Sequence, residues 1–331
     1  MPHFIQNILG ALTPLFSQQK LIKMTRQKLL LPFYHTVAVG EQAHIKHLYQ
    51  LRSLKQFEED LNYFQKYFQS ISSDDLLNDK VDKPSFHLTF DDGLREIYHH
   101  IAPLLERRGI HATFFVNTSF VDNKGLFYRY KISLIIDALR ESNHCQIAHL
   151  LECENEYDVI RKALLKLNYA QQGVINKITA LLKIDIAAFL AEKQPYLTSA
   201  QLLDLQSRGF TIASHGTDHP WFMDIDYEDQ KQQLIESFQF LNPIIEDRPR
   251  LFSFPFSDEG VSTTFMNWMY EVEHVKKSFG VFGLKKDAVK GHLHRIPIER
   301  TIESIQHIIK KEYLYYIAKS FVSKNEMHRN D

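Results

Sequence analysis

Two short segments of this 331-residue chain carry side chains that together could bind a divalent metal ion and use it in hydrolysis. The first contains two adjacent carboxylates, Asp91 and Asp92, and the second contains two imidazoles four residues apart, His215 and His219. One carboxylate and two imidazoles form a three-ligand metal site that leaves positions open for water and substrate. The other carboxylate would remain free as a base on a water molecule that the metal activates.

The position of these residues relative to predicted strands strengthens the metal interpretation. The carboxylate pair follows the apolar run 85–90, and His215 follows the apolar run 210–213. In barrels of parallel strands, catalytic residues lie at the carboxyl ends of the strands. Taken singly, Asp-Asp-Gly is a common turn, and a lone histidine is more often structural. Here, however, a pair of carboxylates follows one predicted strand and a pair of histidines follows another, and this combination favours a metal site. The four-residue spacing of the two histidines predicts that both rings lie on one side of a helical turn.

Hydrophobic periodicity predicts an α/β fold around these segments. Residues 85–116 indicate a strand, a helix and a second strand, which implies a parallel sheet or barrel. A strand at 28–39 would deliver His35 at its carboxyl end, and the polar segment 73–84 is predicted to be a loop. The other predicted strands are 113–116, 210–213, 251–255, 278–282 and 293–298, and the predicted helices are 47–69, 94–108, 198–208, 227–241, 262–270 and 302–319.

Two regions lie outside this alternation of strands and helices. Strand signals disappear from about 122 to 195, where the spacing of apolar residues predicts an insertion of several short helices. Residues 1–27 are predicted to be an amphipathic helical extension of the barrel domain 28–330. The extension would either pack on the body of the protein or lie on a membrane surface as a peripheral contact. The polar tail from Ser323 onward is predicted to be frayed.

Composition and charge set further limits. The hydrophobic content of 44% is typical of a globular protein with a buried core, and the formal net charge of −1 gives no strong attraction to nucleic acid. The two cysteines, Cys145 and Cys153, are expected to be free thiols, which favours a reducing compartment. No apolar run is long enough to span a bilayer, and residues 1–25 lack the pattern of a secretory signal. The expected location is the cytoplasm, with a peripheral position at the inner membrane face as an alternative.

The two metal-binding segments resemble a known family. Thr89–Gly93 (TFDDG) and His215–Pro220 (HGTDHP) are similar to the first two signatures of the polysaccharide deacetylases, also called NodB-homology or carbohydrate esterase family 4 enzymes. The resemblance covers residues 85–300, apart from the helical insertion. It implies a distorted (β/α)7-type barrel and a hydrolase that removes an acetyl group from an N-acetylated sugar of a surface polysaccharide or its precursor.

The resemblance also implies roles for single residues. Asp91 matches the general base, and Asp92, His215 and His219 match the ligands of one divalent ion, which is usually zinc in this family and otherwise cobalt, nickel or another ion. An N-acetylated saccharide is the implied partner. The amine leaving group would need a proton from a general acid.

A third segment, 252–257 (FSFPFS), resembles the family's aromatic-Pro-aromatic signature. The match implies that Pro255 and Phe256 contact the substrate and that the N–H of Phe256 stabilises the oxyanion. The family often has an arginine here that hydrogen-bonds the base, but this chain has a serine. Arg250 or Arg295 could reach in instead, and Arg295 is also expected among the substrate-binding residues.

The resemblance also implies a histidine as the general acid. His294, in the segment 292–297, stands in the region where the family places this histidine, and it is the expected acid. The alternative is that Arg295 orients Asp91 and that the acid is a water or another histidine. His35 resembles a histidine that faces the active site in many members, although a packed core histidine is equally consistent with the sequence.

Two other functions remain open at this stage. The departures in the third and last signatures are compatible with a degenerate member that binds carbohydrate without turnover. An amidase or deformylase that acts on a small molecule could use the same residues.

Overall fold

An eight-stranded parallel sheet forms the centre of the computed structural model, which describes residues 3–139, 144–246 and 248–329, with side chains from residue 8 onward. The strands are β1 Pro32–Tyr34, β2 Leu88–Phe90, β3 Ala112–Val116, β4 Thr211–Ser214, β5 Leu251–Ser253, β6 Lys277–Gly280, β7 His292–His294 and β8 Ile296–Pro297. Their order across the sheet is β7-β6-β5-β4-β3-β2-β1-β8, and every pairing is parallel.

The last two strands close this sheet into a barrel. β7 pairs with β6 at one edge and β8 pairs with β1 at the other, although only Arg295 separates them in the chain. The N–H of Arg295 donates to the carbonyl of Gly280 (3.0 Å), and the N–H of Ile296 donates to the carbonyl of Leu31 (2.8 Å). The segment 292–297 therefore supplies both edge strands and acts as the seventh strand that closes the barrel. The predicted distorted (β/α)7-type barrel is confirmed.

The barrel strands are apolar because both faces of a parallel sheet are covered. Every residue of β2, β3 and β5 is buried. Neighbouring residues of a strand point to opposite faces, so Phe114 belongs to the large core shared with the helices. Phe115 instead packs with Leu251 and Phe279, which come from other strands of the same sheet and fill the barrel.

Helices cover the outside of the barrel and connect its strands. They are α1 His3–Leu12, α2 Gln18–Thr25, α3 Leu54–Tyr67, α4 Ser73–Leu77, α5 Ala102–Arg108, α6 Tyr128–Ala138, α7 Cys145–Leu150, α8 Tyr157–Lys166, α9 Gln172–Leu181, α10 Ile186–Lys193, α11 Ser199–Ser207, α12 Tyr227–Ile245, α13 Thr263–Glu271 and α14 Ile305–Ser320.

Capping residues explain two errors in the predicted boundaries. The helix expected from residue 47 begins only at Leu54, because Ser53 forms a capping box with Gln56. The segment 73–84, predicted as a loop, contains α4, which Ser72 caps in the same way. The capping box predicted at Thr198 is present at the start of α11.

The helical insertion consists of α6 to α10 and has a hydrophobic cluster of its own. The cluster includes Ile135 of α6, Ile160 of α8 and Ile178 of α9. Its first helix lies against the metal-binding segments, since the hydroxyl of Tyr130 on α6 contacts Asp92. The insertion therefore contributes to the site as well as covering it. The division into domains at residue 27 stays a prediction.

The N-terminal extension forms two helices rather than one. A 3-10 turn, Thr13–Leu15, separates α1 from α2, and both helices pack on α14 through buried residues such as Leu9 and Leu21. The side chain of Leu15 on the outer side is 71% exposed. Of the two alternatives for this segment, packing on the body is observed. Among the described residues, no helix combines the length and apolar character needed to cross a membrane.

The tail from Ser323 is ordered as far as the structure describes it, so the prediction of a frayed tail is wrong for residues 323–329. Glu326–Met327 pairs in parallel with Lys286–Asp287. Arg329 then donates hydrogen bonds to the carboxylates of Asp258 and Asp287. Two buried carboxylates attract a guanidinium, and this ion pairing fixes the tail.

Candidate active site

The carboxyl ends of β2 and β4 bring the predicted metal ligands together. Asp91 and Asp92 follow β2, and His215 and His219 follow β4, and all four side chains are buried. His219 Nε2 lies 3.3 Å from Asp92 Oδ1, and His215 Nε2 lies 3.7 Å from the same oxygen. The nearer oxygen of Asp91 lies 3.8 Å from His215 Nε2. The two distant segments therefore meet as the sequence predicted.

The backbone achieves this convergence through unusual conformations, and the prediction of a helical turn for the histidine pair is wrong. His219 has a φ of 65° and Gly216 a φ of 80°, so the segment is an irregular loop. Asp92 has a φ of 70° and is followed by Gly93 at 66°. A Cβ on Gly93 would meet Val116 Cγ1 at 2.9 Å, so only glycine fits behind the carboxylates. Positive φ values at non-glycine residues are typical of functional sites.

The donor atoms fit a divalent metal. Ligands about 2.1 Å from a tetrahedral zinc lie about 3.4 Å apart, which is close to the observed 3.3 and 3.7 Å. Asp92 Oδ1 is buried, points at both imidazoles and accepts no hydrogen bond within the described residues. A buried carboxylate oxygen without a partner is costly, and a cation between the three groups would satisfy it.

Hydrogen bonds with neighbouring groups orient His215 and Asp92 so that their free donor atoms point at the candidate cation site. His215 Nδ1 donates to the carbonyl of Ser253 (2.8 Å), which leaves the Nε2 lone pair directed at the site. Burial lowers the pKa of His215 to about 4, so this imidazole is neutral. Asp92 Oδ2 accepts a hydrogen bond from the Tyr130 hydroxyl (2.6 Å). Burial raises the pKa of Tyr130 well above its usual value, so the hydroxyl remains a donor.

Asp91 is held by a buried arginine. Arg295 Nη1 and Nη2 donate to the two carboxylate oxygens of Asp91 at 2.7 and 2.8 Å, and Nη2 also donates to Ser253 Oγ at 2.6 Å. Burial alone would raise the pKa of Asp91, but the charge and hydrogen bonds of Arg295, together with the charges of His215 and His35, outweigh burial and lower this pKa. Arg295 therefore orients Asp91, the predicted base, which is the alternative that the sequence left open. Its side chain is fully buried and does not line the cavity, and Arg250 pairs with Glu273 instead.

His35 faces the same cavity from β1. Its Nδ1 lies 2.6 Å from Glu299 Oε2, and its ring stacks on Tyr49 with 4.0 Å between centroids. Burial would lower the pKa of His35, but the hydrogen bond and charge of Glu299 outweigh burial and raise it to about 8. A protonated imidazole thus lines the same cavity as the Asp91 carboxylate at neutral pH.

His294 lies elsewhere, in a second buried cluster behind β6 and β7. Its Nε2 is 3.2 Å from Asp287 Oδ2 and its Nδ1 is 3.9 Å from Asp258 Oδ2, and Arg329 contacts both carboxylates. The side chain is buried and does not line the cavity that contains Asp91. The structure therefore does not bring His294 to the base and metal ligands. Its position in the sequence matched the family, but the alternation of side chains along β7 directs it to this other cluster.

A cavity of about 520 Å³ opens over these groups and is lined by Asp91, His215 and His219 together with His35 and Phe256. Phe256 has a φ of 57°, and its N–H makes no hydrogen bond within the described residues. This amide is available to a developing oxyanion, as the third signature implies. Pro255 precedes it but does not line the cavity.

Three residues of the site were not predicted from the sequence. Tyr130 comes from the insertion, and Tyr49 and Glu299 come from loops beside β1 and β8. A glutamate at a strand end was a detectable signal, because Glu299 directly follows the predicted strand 293–298. The two tyrosines carried no signal, since a tyrosine within an apolar helix or loop is usually core.

The comparisons with known proteins agree with this geometry. The family model described as polysaccharide deacetylase matches residues 78–270, which is more than half of the chain and includes both metal-binding segments. The chain belongs to the polysaccharide deacetylase family. Polysaccharide deacetylases are hydrolases, and they generally depend on a metal. A comparison of the sequence with curated proteins gave no match.

Solved polysaccharide deacetylases share the fold at low sequence identity. Streptococcus pyogenes deacetylase PplD in complex with acetate matches with a TM-score of 0.54 at 13% identity, covering 86% of this chain and 98% of that one. IcaB from Ammonifex degensii matches with a TM-score of 0.53 at 13% identity, covering 86% and 97%. A de-N-acetylase from Aggregatibacter actinomycetemcomitans matches with a TM-score of 0.52 at 15% identity, covering 85% and 99%.

Proposed function

We propose that this polysaccharide deacetylase removes an acetyl group from an N-acetylated saccharide with the help of one divalent metal ion, zinc in the first instance. The observation that carries the proposal is the arrangement of the four residues at the strand ends. Asp92, His215 and His219 converge on one point, while the neighbouring Asp91 is engaged by Arg295 instead. This arrangement separates a cation site from a base.

The metal, when bound by Asp92, His215 and His219, would polarise the acetyl carbonyl and make a water molecule more acidic. Asp91 accepts the proton of the attacking water, because Arg295 keeps the carboxylate ionised and fixes its orientation. Phe256 lines the cavity, and its N–H, which has no hydrogen-bond acceptor among the described residues, donates to the oxygen that gains negative charge.

His35 replaces His294 as the proposed general acid. It lines the cavity with Asp91, whereas His294 does not. Glu299 holds Nδ1, which leaves Nε2 to donate its proton to the departing amine. Its pKa of about 8 keeps the imidazole protonated at neutral pH while allowing the transfer.

The cavity suits a sugar ring. The rings of Phe33, Tyr49, Phe254 and Phe256 line it beside polar groups such as Gln50. Aromatic faces and a few directed polar groups are typical of small-molecule sites of this size. We further propose a surface polysaccharide or its precursor as the source of the saccharide, and a cytoplasmic location with the N-terminal helices toward the inner membrane face.

The test is acetate release from N-acetylated oligosaccharides by the full chain, with and without chelator. Release should stop on chelation and return when zinc is added. Asp91→Asn should lower the rate by about 10²–10⁴-fold while metal binding persists, because only the base is lost. The matched control Asp82→Asn, at an exposed position away from the cavity, should behave like the unmodified protein.

Other results of this assay would favour the two alternative functions. Binding of the oligosaccharide without acetate release would show a carbohydrate-binding member that has lost turnover. Release of another acyl group from a small amide, with none from sugars, would show an amidase or deformylase. Full activity of Asp91→Asn would refute the assignment of the base.

A further inference from the structure

A second cavity adjoins the catalytic one. It measures about 980 Å³ and lies between α1, α14 and the loops that follow β6 and β8. Val281, Pro297 and Arg300 line both cavities, so the two spaces meet at these residues. A substrate whose acetyl group lies at Asp91 would reach the second cavity by passing Arg300.

The junction presents the positive charge of Arg300, which interacts with the Glu312 carboxylate only at a distance and not as an ion pair. The side chain of Arg300 is exposed and makes no hydrogen bond or ion pair within the part of the chain that the structure describes. Lys285 lines the second cavity as well, and its ammonium lies over the ring of Phe282 at 5.5 Å without an ion pair to any described residue. Two cations thus face the same space.

The carboxylates of this cavity are occupied by other groups. Glu303 pairs with Lys311 (2.5 Å) and lies 3.3 Å from His307. Glu312 accepts the N–H of Leu284 (3.1 Å), and burial raises its pKa. Within the described residues, neither carboxylate forms an ion pair with Arg300 or Lys285, although the charge of Glu312 acts on both cations. Because no carboxylate contacts either cation directly, an anion can still reach their donor groups.

We propose that the second cavity binds a phosphate group of the substrate, so that the enzyme acts on a phosphate-bearing N-acetylated sugar. A guanidinium binds phosphate through two parallel hydrogen bonds, and a lysine adds a point charge. The inference rests on the proposed function, because it assumes that the sugar occupies the adjoining catalytic cavity. Arg300 selects the substrate and takes no part in the chemical step.

The phosphate can belong to a soluble sugar phosphate or to a lipid-linked sugar. Gly10 and Ala11 of α1 line the second cavity, and the exposed side chains of Ile8, Leu12 and Leu15 lie close by on the same segment. Residues 1–40 include four lysines and arginines and no aspartate or glutamate. These features suit a lipid source at an anionic membrane surface, and the experiment has an arm for each source.

The first measurement is calorimetric binding to the full, zinc-loaded Asp91→Asn chain, in which no turnover is expected. N-acetylglucosamine 1-phosphate should bind about 10-fold more tightly than N-acetylglucosamine, because a charge-assisted hydrogen bond is gained. Adding Arg300→Gln should abolish that preference, and adding the exposed control Arg107→Gln should not. Equal affinities in the starting protein, or a preference that survives Arg300→Gln, would overturn the inference.

The second measurement is acetate release by the otherwise unmodified enzyme. Arg300→Gln should raise the KM for phosphorylated sugars about 10-fold more than the KM for neutral oligosaccharides, with little change in kcat. Leu15→Ser should slow release only from a polyprenyl-diphosphate-linked sugar in vesicles; no effect there assigns the phosphate to a soluble sugar. A protein that prefers the phosphorylated sugar in calorimetry but releases no acetate would refute the proposed function alone.

Discussion

Replacing Arg295 tests both the base and the closure of the barrel. In Arg295→Met, the Asp91 carboxylate loses bonds of 2.7 and 2.8 Å and stays buried without a cation. Removing one partner of a buried ion pair costs about 3–5 kcal/mol of unfolding free energy. In a chain of this size, about 1 kcal/mol corresponds to about 2 °C in Tm, so we expect a fall of about 6–10 °C. Thermal unfolding followed by circular dichroism measures it.

A double-mutant cycle separates the ion pair from packing. Arg295 also lies over the rings of Phe33 and Phe115, at 4.5 and 5.3 Å from their centroids, so methionine could destabilise the barrel by packing alone. Asp91→Asn removes the buried charge, and the double variant should therefore recover about 2 kcal/mol or more of the loss. Strict additivity of the two substitutions would refute the idea that the pairing of Arg295 with Asp91 dominates.

Three further perturbations address other parts of the site. Because His35 has its pKa raised to about 8, the stability from its pairing with Glu299 should be complete below pH 6.5 and lost as pH rises through 8, and activity should fall over the same range. Glu299→Gln should move this alkaline limb to lower pH; an unchanged limb in the pH–rate profile would exclude His35 as the acid. Tyr130→Phe should weaken zinc binding about 10-fold in a metal titration, since Asp92 loses the hydroxyl that orients it, and an unaltered affinity would contradict that role. Arg329→Met should cost about 3–5 kcal/mol, because two buried carboxylates lose their cation, whereas Arg107→Met should leave the Tm unchanged; equal melting curves for both variants would show that the tail is not anchored by this contact.

The sequence predicted the parts of this molecule that local patterns determine. Apolar runs ended by turn residues located the strands, and the Asp91–Asp92 and His215–His219 pairs were visible because they follow those runs directly. The family signatures then predicted the barrel, which the structure confirms.

The residues that the sequence misplaced depend on contacts between distant segments. His294 matched the position of a catalytic histidine, but its side chain lies with Asp258 and Asp287. Arg295 was expected either among the substrate-binding residues or at Asp91, and it reaches Asp91 across 204 residues of sequence, a contact that local spacing could not decide. The histidine pair has helical spacing yet forms a loop, because Gly216 and His219 adopt positive φ values.

Anomalous diffraction from crystals of the full chain grown with zinc tests the central claim most directly. We expect one strong peak between Asp92 Oδ1 and the Nε2 atoms of His215 and His219, with Asp91 bound to Arg295 and outside the coordination sphere. A zinc ion coordinated by Asp91, or zinc found only at the Asp258–His294 cluster, would contradict it.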